Sequence, residues 1–323
     1  MAGYREDAGG QPTPFARQWK RQLHREGVLM RTASLVLNPT TVDDRKAIVD
    51  LVRRRCLAAG WDQVTVRHTT PGDAGTTATR AAVEEGAELV LCCGGDGTLA
   101  AAAAGLAHTG VPLAILSTGS GNLLSRNLNV PLDLESGLDV ALDSHTTTID
   151  VGRVDGNTFV VMAGIGFDAA IMAEASGRLK ERLGWLAYFV AGLKRIRTGP
   201  MSVEIGLDAR DSIARGKVLT VIVGNVGDLQ GGLAVLPEAD PADGVLDVAV
   251  VAPRTFTDWL RAGWRILRRQ PGSDSRLQHF RAKQIRIRAT RAQARQFDGE
   301  VMEPGRSLDI RIDPAALIVK VPR

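Results

Sequence analysis

Aromatic residues are scarce: Phe, Trp and Tyr together make up 4% of the 323 residues. The core must therefore be built mostly from Ala, Val, Leu and Ile. There are too few rings for base-stacking platforms, and no nucleic-acid module is recognisable, so a nucleic-acid partner is not expected. Cysteine is nearly absent. Cys56, Cys92 and Cys93 form no even framework and show no metal-ligand spacing, which excludes a disulfide scaffold. Long hydrophobic runs are missing as well. The longest, Gly184 to Leu193, has ten residues, far short of the ~20 a membrane span needs. The polar, Gly-rich stretch from Met1 to Thr13 has no apolar centre, so no secretion signal is expected and the chain reads as cytoplasmic.

What is present is globular in proportion, with 44% hydrophobic and 24% charged residues. The length suits two domains. The net charge of +4 is unevenly spread. Between Arg254 and Arg295 twelve Arg and Lys face only Asp258 and Asp274, so an anionic partner is worth considering.

The order of elements separates the chain into a tail (1–28) and two domains (29–148 and 149–323). From Ser34 the pattern alternates. Apolar strands at Ser34–Asn38, Val64–His68, Leu89–Cys93 and Pro112–Leu116 are separated by helices over Asp43–Ala59, Ala74–Glu85 and Thr98–Ala107. Continuous apolar strands joined by helices predict a parallel α/β sheet, Rossmann-like and covered on both faces. Past Ile149, strands joined by Asp-Gly, Gly-Asn and Pro turns predict a β-rich, sandwich-like second domain. Helices are expected over Ala169–Arg197 and Thr255–Arg269. The active site is expected in the cleft between the domains.

The sharpest motif is Gly94-Gly95-Asp96-Gly97-Thr98, directly after a buried strand and opening a helix. Glycines there can turn backbone N–H groups inward as an anion nest, with the helix dipole behind it. Asp96 among them suits Mg²⁺. A plain strand-to-helix turn capped by Thr98 would look the same in isolation. However, Asn38-Pro39-Thr40-Thr41 follows the preceding strand and Thr118-Gly119-Ser120-Gly121-Asn122 follows the next one. Three such loops at the carboxyl ends of parallel strands converge on one sheet edge, where open α/β sheets bind ligands. They are read as a nucleotide site.

At these residues the chain resembles the diacylglycerol kinase catalytic family of soluble bacterial lipid kinases and their sphingosine- and ceramide-kinase relatives. It is more distantly similar to the NAD kinases. The resemblance runs from about Thr32 to the C-terminus. It continues through Gly166-Phe167-Asp168-Ala169, the stretch Asn225–Val248 with Gly231-Gly232 and Asp240 to Asp247, and Asp298-Gly299-Glu300. It implies ATP and Mg²⁺, with Asn38, Pro39, Thr40, Thr69 (or Thr70), Gly94–Thr98 and Gly119, Ser120, Gly121 and Asn122 holding the nucleotide. The family usually writes the third loop Gly-Thr-x-Asn-Asp. Here Ser120 keeps the hydroxyl and Leu123 stands in place of the carboxylate. The first loop lacks the family's usual glycine.

Read on the residues alone, Asp298-Gly299-Glu300 is a hairpin turn with a solvated Glu. The resemblance makes Glu300 the general base, with Asp298 a metal or positioning group. It likewise places a structural Mg²⁺ at Asp240, Asp243 and the backbone of Val245. Asp168 is either a cleft residue or a helix N-cap. The five His show no partner pattern.

The expected activity is transfer of the γ-phosphate of ATP to a lipid hydroxyl, diacylglycerol first. Another lipid alcohol, NAD, or a non-catalytic nucleotide- or lipid-binding regulator are the alternatives. A lipid substrate calls for transient, peripheral contact with a membrane surface. The Trp-containing segments near Gly184–Val190 and Thr255–Arg269, each flanked by Arg, could provide it, or they could pack on the β-rich domain. A homodimer is compatible with the sequence.

Overall fold

The structure is a computed structural model and describes residues 30–70, 72–166, 200–208, 210–229, 233–252 and 277–323. The N-terminal tail, both basic-flanked helices, Asp168 and Gly231-Gly232 lie outside the described residues.

The first half is the expected parallel α/β unit. Strands β1 (Thr32–Leu37), β2 (Gln63–His68), β3 (Leu89–Gly94) and β4 (Leu113–Ser117) pair in parallel in the order β2-β1-β3-β4. Every residue of β3 and β4 is buried, whereas the edge strand β2 is only half-buried. That is why β3 and β4 read as unbroken apolar runs. Alternate residues face opposite layers. Leu35, Leu91, Cys93 and Leu116 pack in one core, and Val36, Val90, Cys92 and Ile115 in another. The neighbouring Cys92 and Cys93 thus point to opposite sides of the sheet, and both are free thiols.

Helix α1 (Arg45–Ala58) starts where the Asp44 carboxylate accepts the Ala47 N–H at 2.9 Å, a side-chain N-cap. Helices α2 (Thr76–Glu84) and α3 (Asp96–Leu106) approach closely. A Cβ on Gly105 would lie 2.9 Å from the Thr79 Cβ. The Ala-rich α3 is buried on most of its surface, so its long axis is fixed and its N-terminus is held at the sheet edge. Two further short helices, α4 (Leu123–Asn127) and α5 (Leu134–Leu142), follow β4.

The second half is antiparallel and β-rich, as expected. Strands β7 (Met162–Gly166), β10 (Thr220–Gly224), β13 (Leu246–Val251) and β14 (Leu277–Ala282) pair in series. On the other side of β7 lies β15 (Gln284–Phe297), which also pairs with β8 (Met201–Leu207). The last strand, β16 (Glu300–Lys320), is 21 residues long. It pairs with β15 in its first part and with β5 (Thr146–Val154) in its second, across a register shift between Asp313 and Leu317. It then meets β4 in parallel at Val319 and Leu113, so both halves share one continuous sheet. The same strand that begins at Glu300 therefore ends inside the parallel sheet. A third core, including Phe159, Ile165, Val221, Val248, Ile287 and Leu308, fills this half.

Candidate active site

The three expected loops meet at the carboxyl edge of β1, β3 and β4, and their side chains bind one another. Asn38 follows β1 and donates its backbone N–H to the Cys93 carbonyl at 2.9 Å. Its Oδ1 accepts the Thr40 N–H (3.0 Å) and hydroxyl (2.8 Å), and its Nδ2 donates to the Thr98 hydroxyl at 3.1 Å. Thr41 and Thr118 share a hydroxyl–hydroxyl bond of 2.9 Å. Asn38 thus ties the first loop to the second, and Thr41 ties it to the third. Thr69 is buried, and its methyl would lie 3.5 Å from a Cβ on Gly75. Thr70 instead forms a two-way backbone bridge with Asp73.

The glycines are needed for close approach. A Cβ on Gly119 would sit 2.5 Å from the Gly95 Cα, so the second and third loops touch backbone to backbone. The third loop closes on itself through Asn122, which is in the left-handed region (φ 49°). Its Oδ1 accepts the Gly119 N–H at 3.1 Å and its Nδ2 donates to the Gly119 carbonyl at 2.7 Å. Within this structure Asn38, Thr98 and Asn122 shape the cradle through bonds to protein groups.

Asp96 opens α3. Its Oδ1 accepts the Leu123 N–H at 2.7 Å, and its Oδ2 would lie 2.5 Å from a Cβ on Gly121. Burial raises its pKa above the usual carboxylate range, with nearby N–H groups and the Arg126 charge opposing that rise.

Glu300 reaches this edge from the other half. Asp298 (φ 42°) and Gly299 (φ 88°) form a two-residue turn between β15 and β16, with both residues in the left-handed region a tight hairpin requires. The Asp298 carboxylate accepts three backbone N–H groups: Val160 at 2.7 Å, Val161 at 2.9 Å and Met162 at 2.8 Å. Its own N–H donates to the Met162 carbonyl at 2.8 Å. The Gln296 side chain accepts the Gly299 N–H at 3.0 Å. The turn is therefore bolted by Asp298 to the segment entering β7. Burial pushes the Asp298 pKa up to about 7, the three N–H donors opposing that rise and the Asp96 charge adding to it. A Cβ on Gly97 would lie 3.3 Å from the Glu300 Oε1. Asp96, Gly97 and Glu300 therefore bound one space, with Asp298 behind it.

The two halves are also joined beside the third loop. Asn127, the last residue of α4, donates Nδ2 to the Asp228 carbonyl at 2.9 Å and accepts the Asp228 N–H on Oδ1 at 3.0 Å. Asn127 did not stand out in the sequence, because its signal is a single polar residue in a short helix.

The oxygen-rich loop at 240–245 is closed by its own carboxylates. Asp240 Oδ1 accepts the Ala242 N–H at 2.9 Å and Asp243 Oδ1 accepts the Val245 N–H at 3.1 Å. The second oxygen of Asp243 pairs with Arg281, which also stands 3.6 Å from Asp247. Asp150, a buried carboxylate missed by sequence reasoning, holds this loop by accepting the Gly244 N–H (2.7 Å) and the Ala315 N–H (2.6 Å). As folded, the cation against these carboxylates is a guanidinium. Among the described residues no three His, Cys, Asp or Glu side chains converge as a metal-holding group. The Mg²⁺ at Asp240, Asp243 and the Val245 backbone is an expectation of the family resemblance, and in this fold Arg281 supplies the positive charge beside Asp243. Among the described residues no helix is long and apolar enough to cross a membrane.

The sequence model of the diacylglycerol kinase catalytic domain matches residues 32–154, and that of the YegS C-terminal NAD kinase beta sandwich-like domain matches residues 160–321. The chain belongs to the diacylglycerol kinase-like family of lipid kinases. Among its relatives in this family is a Pseudomonas fluorescens protein named "Probable lipid kinase YegS-like", 32% identical over 296 residues, which span 90% of this chain and 96% of that protein. The Bacillus subtilis "Diacylglycerol kinase" is 26% identical over 288 residues, 87% of this chain and 94% of that one. The crystal structure of a diacylglycerol kinase from Bacillus anthracis superposes with a TM-score of 0.69 at 21% identity, covering 90% of this chain and 97% of that chain, which supports the fold. The two matched ranges coincide with the parallel α/β half and the β-rich half of the fold.

Proposed function

We propose that this lipid kinase transfers the γ-phosphoryl group of ATP to the hydroxyl of diacylglycerol, giving phosphatidate and ADP. The observation that carries the reading is the placement of the Glu300 carboxylate, from the second half, against Gly97 of the loop cradle. Phosphoryl transfer needs positioned phosphates, charge neutralisation and an acceptor for the hydroxyl proton. The glycine loops provide backbone donors and close approach for the phosphates. Glu300 accepts the proton as the lipid oxygen bonds to the γ-phosphorus and the bond to the ADP oxygen breaks. Mg²⁺ enters with ATP as part of the substrate. The Asp96 carboxylate is a hard oxygen donor that suits it, and the ion would neutralise charge on the phosphates. Asp298 keeps the Glu300 turn in place.

The lipid is met at a membrane surface, in transient contact, and the reaction is cytoplasmic. The test is transfer of label from γ-labelled ATP to a panel of diacylglycerol, sphingoid and other lipid alcohols, with NAD included. Labelled phosphatidate as the main product supports the reading. Label in NAD alone, or ATP binding without transfer to any acceptor, overturns it.

A further inference from the structure

A bound nucleoside triphosphate carries about four negative charges, and the loops expected to cradle it carry no cation. Residues 38–42, 94–98 and 118–122 contain no Lys or Arg, and their one charged side chain is the acid Asp96. Backbone amides supply partial charge only, so beyond the Mg²⁺ that enters with ATP the three loops offer no full positive charge of their own.

The first cation after the third loop is Arg126, on α4. The short helix turns it back toward the loop, and its Nε donates to the Gly121 carbonyl at 3.1 Å. Gly121 is also the residue whose Cβ position would lie 2.5 Å from Asp96 Oδ2, and the Leu123 N–H holds the other Asp96 oxygen at 2.7 Å. Arg126 is thus anchored by one nitrogen at the junction of the second and third loops. The residue is exposed. Its neighbour Asn127 clamps the same helix to the Asp228 backbone in the other half, which fixes the angle from which Arg126 approaches. The Asp96 carboxylate already senses the Arg126 charge.

We propose that Arg126 is a phosphate-binding residue, its guanidinium meeting the terminal phosphates of a nucleoside triphosphate seated on the three loops. The proposal rests on the kinase reading above. An arginine anchored through Nε keeps its two terminal nitrogens for a phosphate oxygen pair, a geometry Lys cannot reproduce. A purely structural Arg126 would serve only to hold Gly121 and offset the Asp96 charge.

The two roles separate by counting phosphates. Binding of ATP, ADP and AMP is measured by titration calorimetry for the wild-type chain, Arg126→Ala and Arg126→Lys, with thermal unfolding of each without nucleotide. Loss of a charge-assisted phosphate contact should weaken ATP binding by about ten- to a hundredfold in Arg126→Ala. AMP binding should change little, and Arg126→Lys should recover only part of the loss. Equal loss for ATP and AMP, or no loss for either, would overturn the assignment. If the wild-type chain bound none of the three, the kinase reading itself would fall. Wild-type binding with an unaffected Arg126→Ala would strike Arg126 alone.

Discussion

Glu300 of the second half stands against Gly97 of the first, its Oε1 3.3 Å from the point a Cβ on Gly97 would occupy. Gly97 lies in the first turn of α3 and its φ is not positive, so alanine is sterically allowed in the backbone. Alanine is also the better helix former, by up to about 1 kcal/mol. The added methyl must instead displace the exposed Glu300 side chain. Gly97→Ala should therefore keep or slightly raise the melting temperature while lowering kcat by about tenfold, since small misplacements of a reacting group are costly. Thermal unfolding and steady-state kinetics on one preparation check both halves of this prediction.

Gly119→Ala should behave differently. Its Cβ would fall 2.5 Å from the Gly95 Cα, and backbone cannot step aside as a side chain can. The loops must separate, at a cost of about 1–3 kcal/mol in stability, and the KM for ATP should rise. Urea denaturation together with ATP titration measures the two effects. An unchanged KM would mean that contact between these loops does not shape the nucleotide site.

Asp298 gives a pH signature. Its folded pKa of about 7 exceeds the ordinary 3.8, so the folded state holds this proton more tightly than the unfolded chain does. Below the ordinary value both states are protonated and the group contributes no pH dependence. As pH rises toward 7 the unfolded state ionises first, and stability is lost. Asp298→Asn removes this titration. The stability of the wild-type chain relative to Asp298→Asn should thus fall between about pH 4 and pH 7 and level off above it. Denaturation across that range tests this, and a pH-independent difference would contradict it.

Asn127 links nucleotide loop and second half by two hydrogen bonds to one residue, Asp228. Asn127→Ala should cost about 1–2 kcal/mol in unfolding free energy. Because the clamp joins the two halves, losing it should lower kcat for lipid phosphorylation more than it weakens ATP binding. Comparison of the ATP dissociation constant with kcat checks this.

Much of this architecture is legible in the residues. The buried strands Leu89–Gly94 and Leu113–Ser117 are unbroken apolar runs because helices cover both faces, and the glycine loops follow them directly. Other parts are hidden for physical reasons. Helix α4 is only five residues long, too short for a periodic pattern. The stretches Leu308–Ile312 and Leu317–Val321 read as separate strands because Pro314 and Ala315 interrupt the alternation. In the structure Ala315 takes φ 51° within one continuous strand with a register shift. The Asp-Gly turn before Glu300 was visible, but its anchorage to Val160, Val161 and Met162 spans more than 130 residues and leaves no local trace. The loop at 240–245 shows oxygen ligands in sequence. Its pairing with Arg281 depends on β14 lying beside β13, which only the tertiary fold supplies.

Glu300→Gln is the most direct measurement of the whole account. The substitution preserves size and the turn held by Asp298, but it removes the proton acceptor. Label transfer from γ-labelled ATP to lipid should fall by about a hundredfold or more, with melting temperature and ATP affinity unchanged. Wild-type turnover in a correctly folded Glu300→Gln protein would contradict the assignment of proton transfer to this side chain.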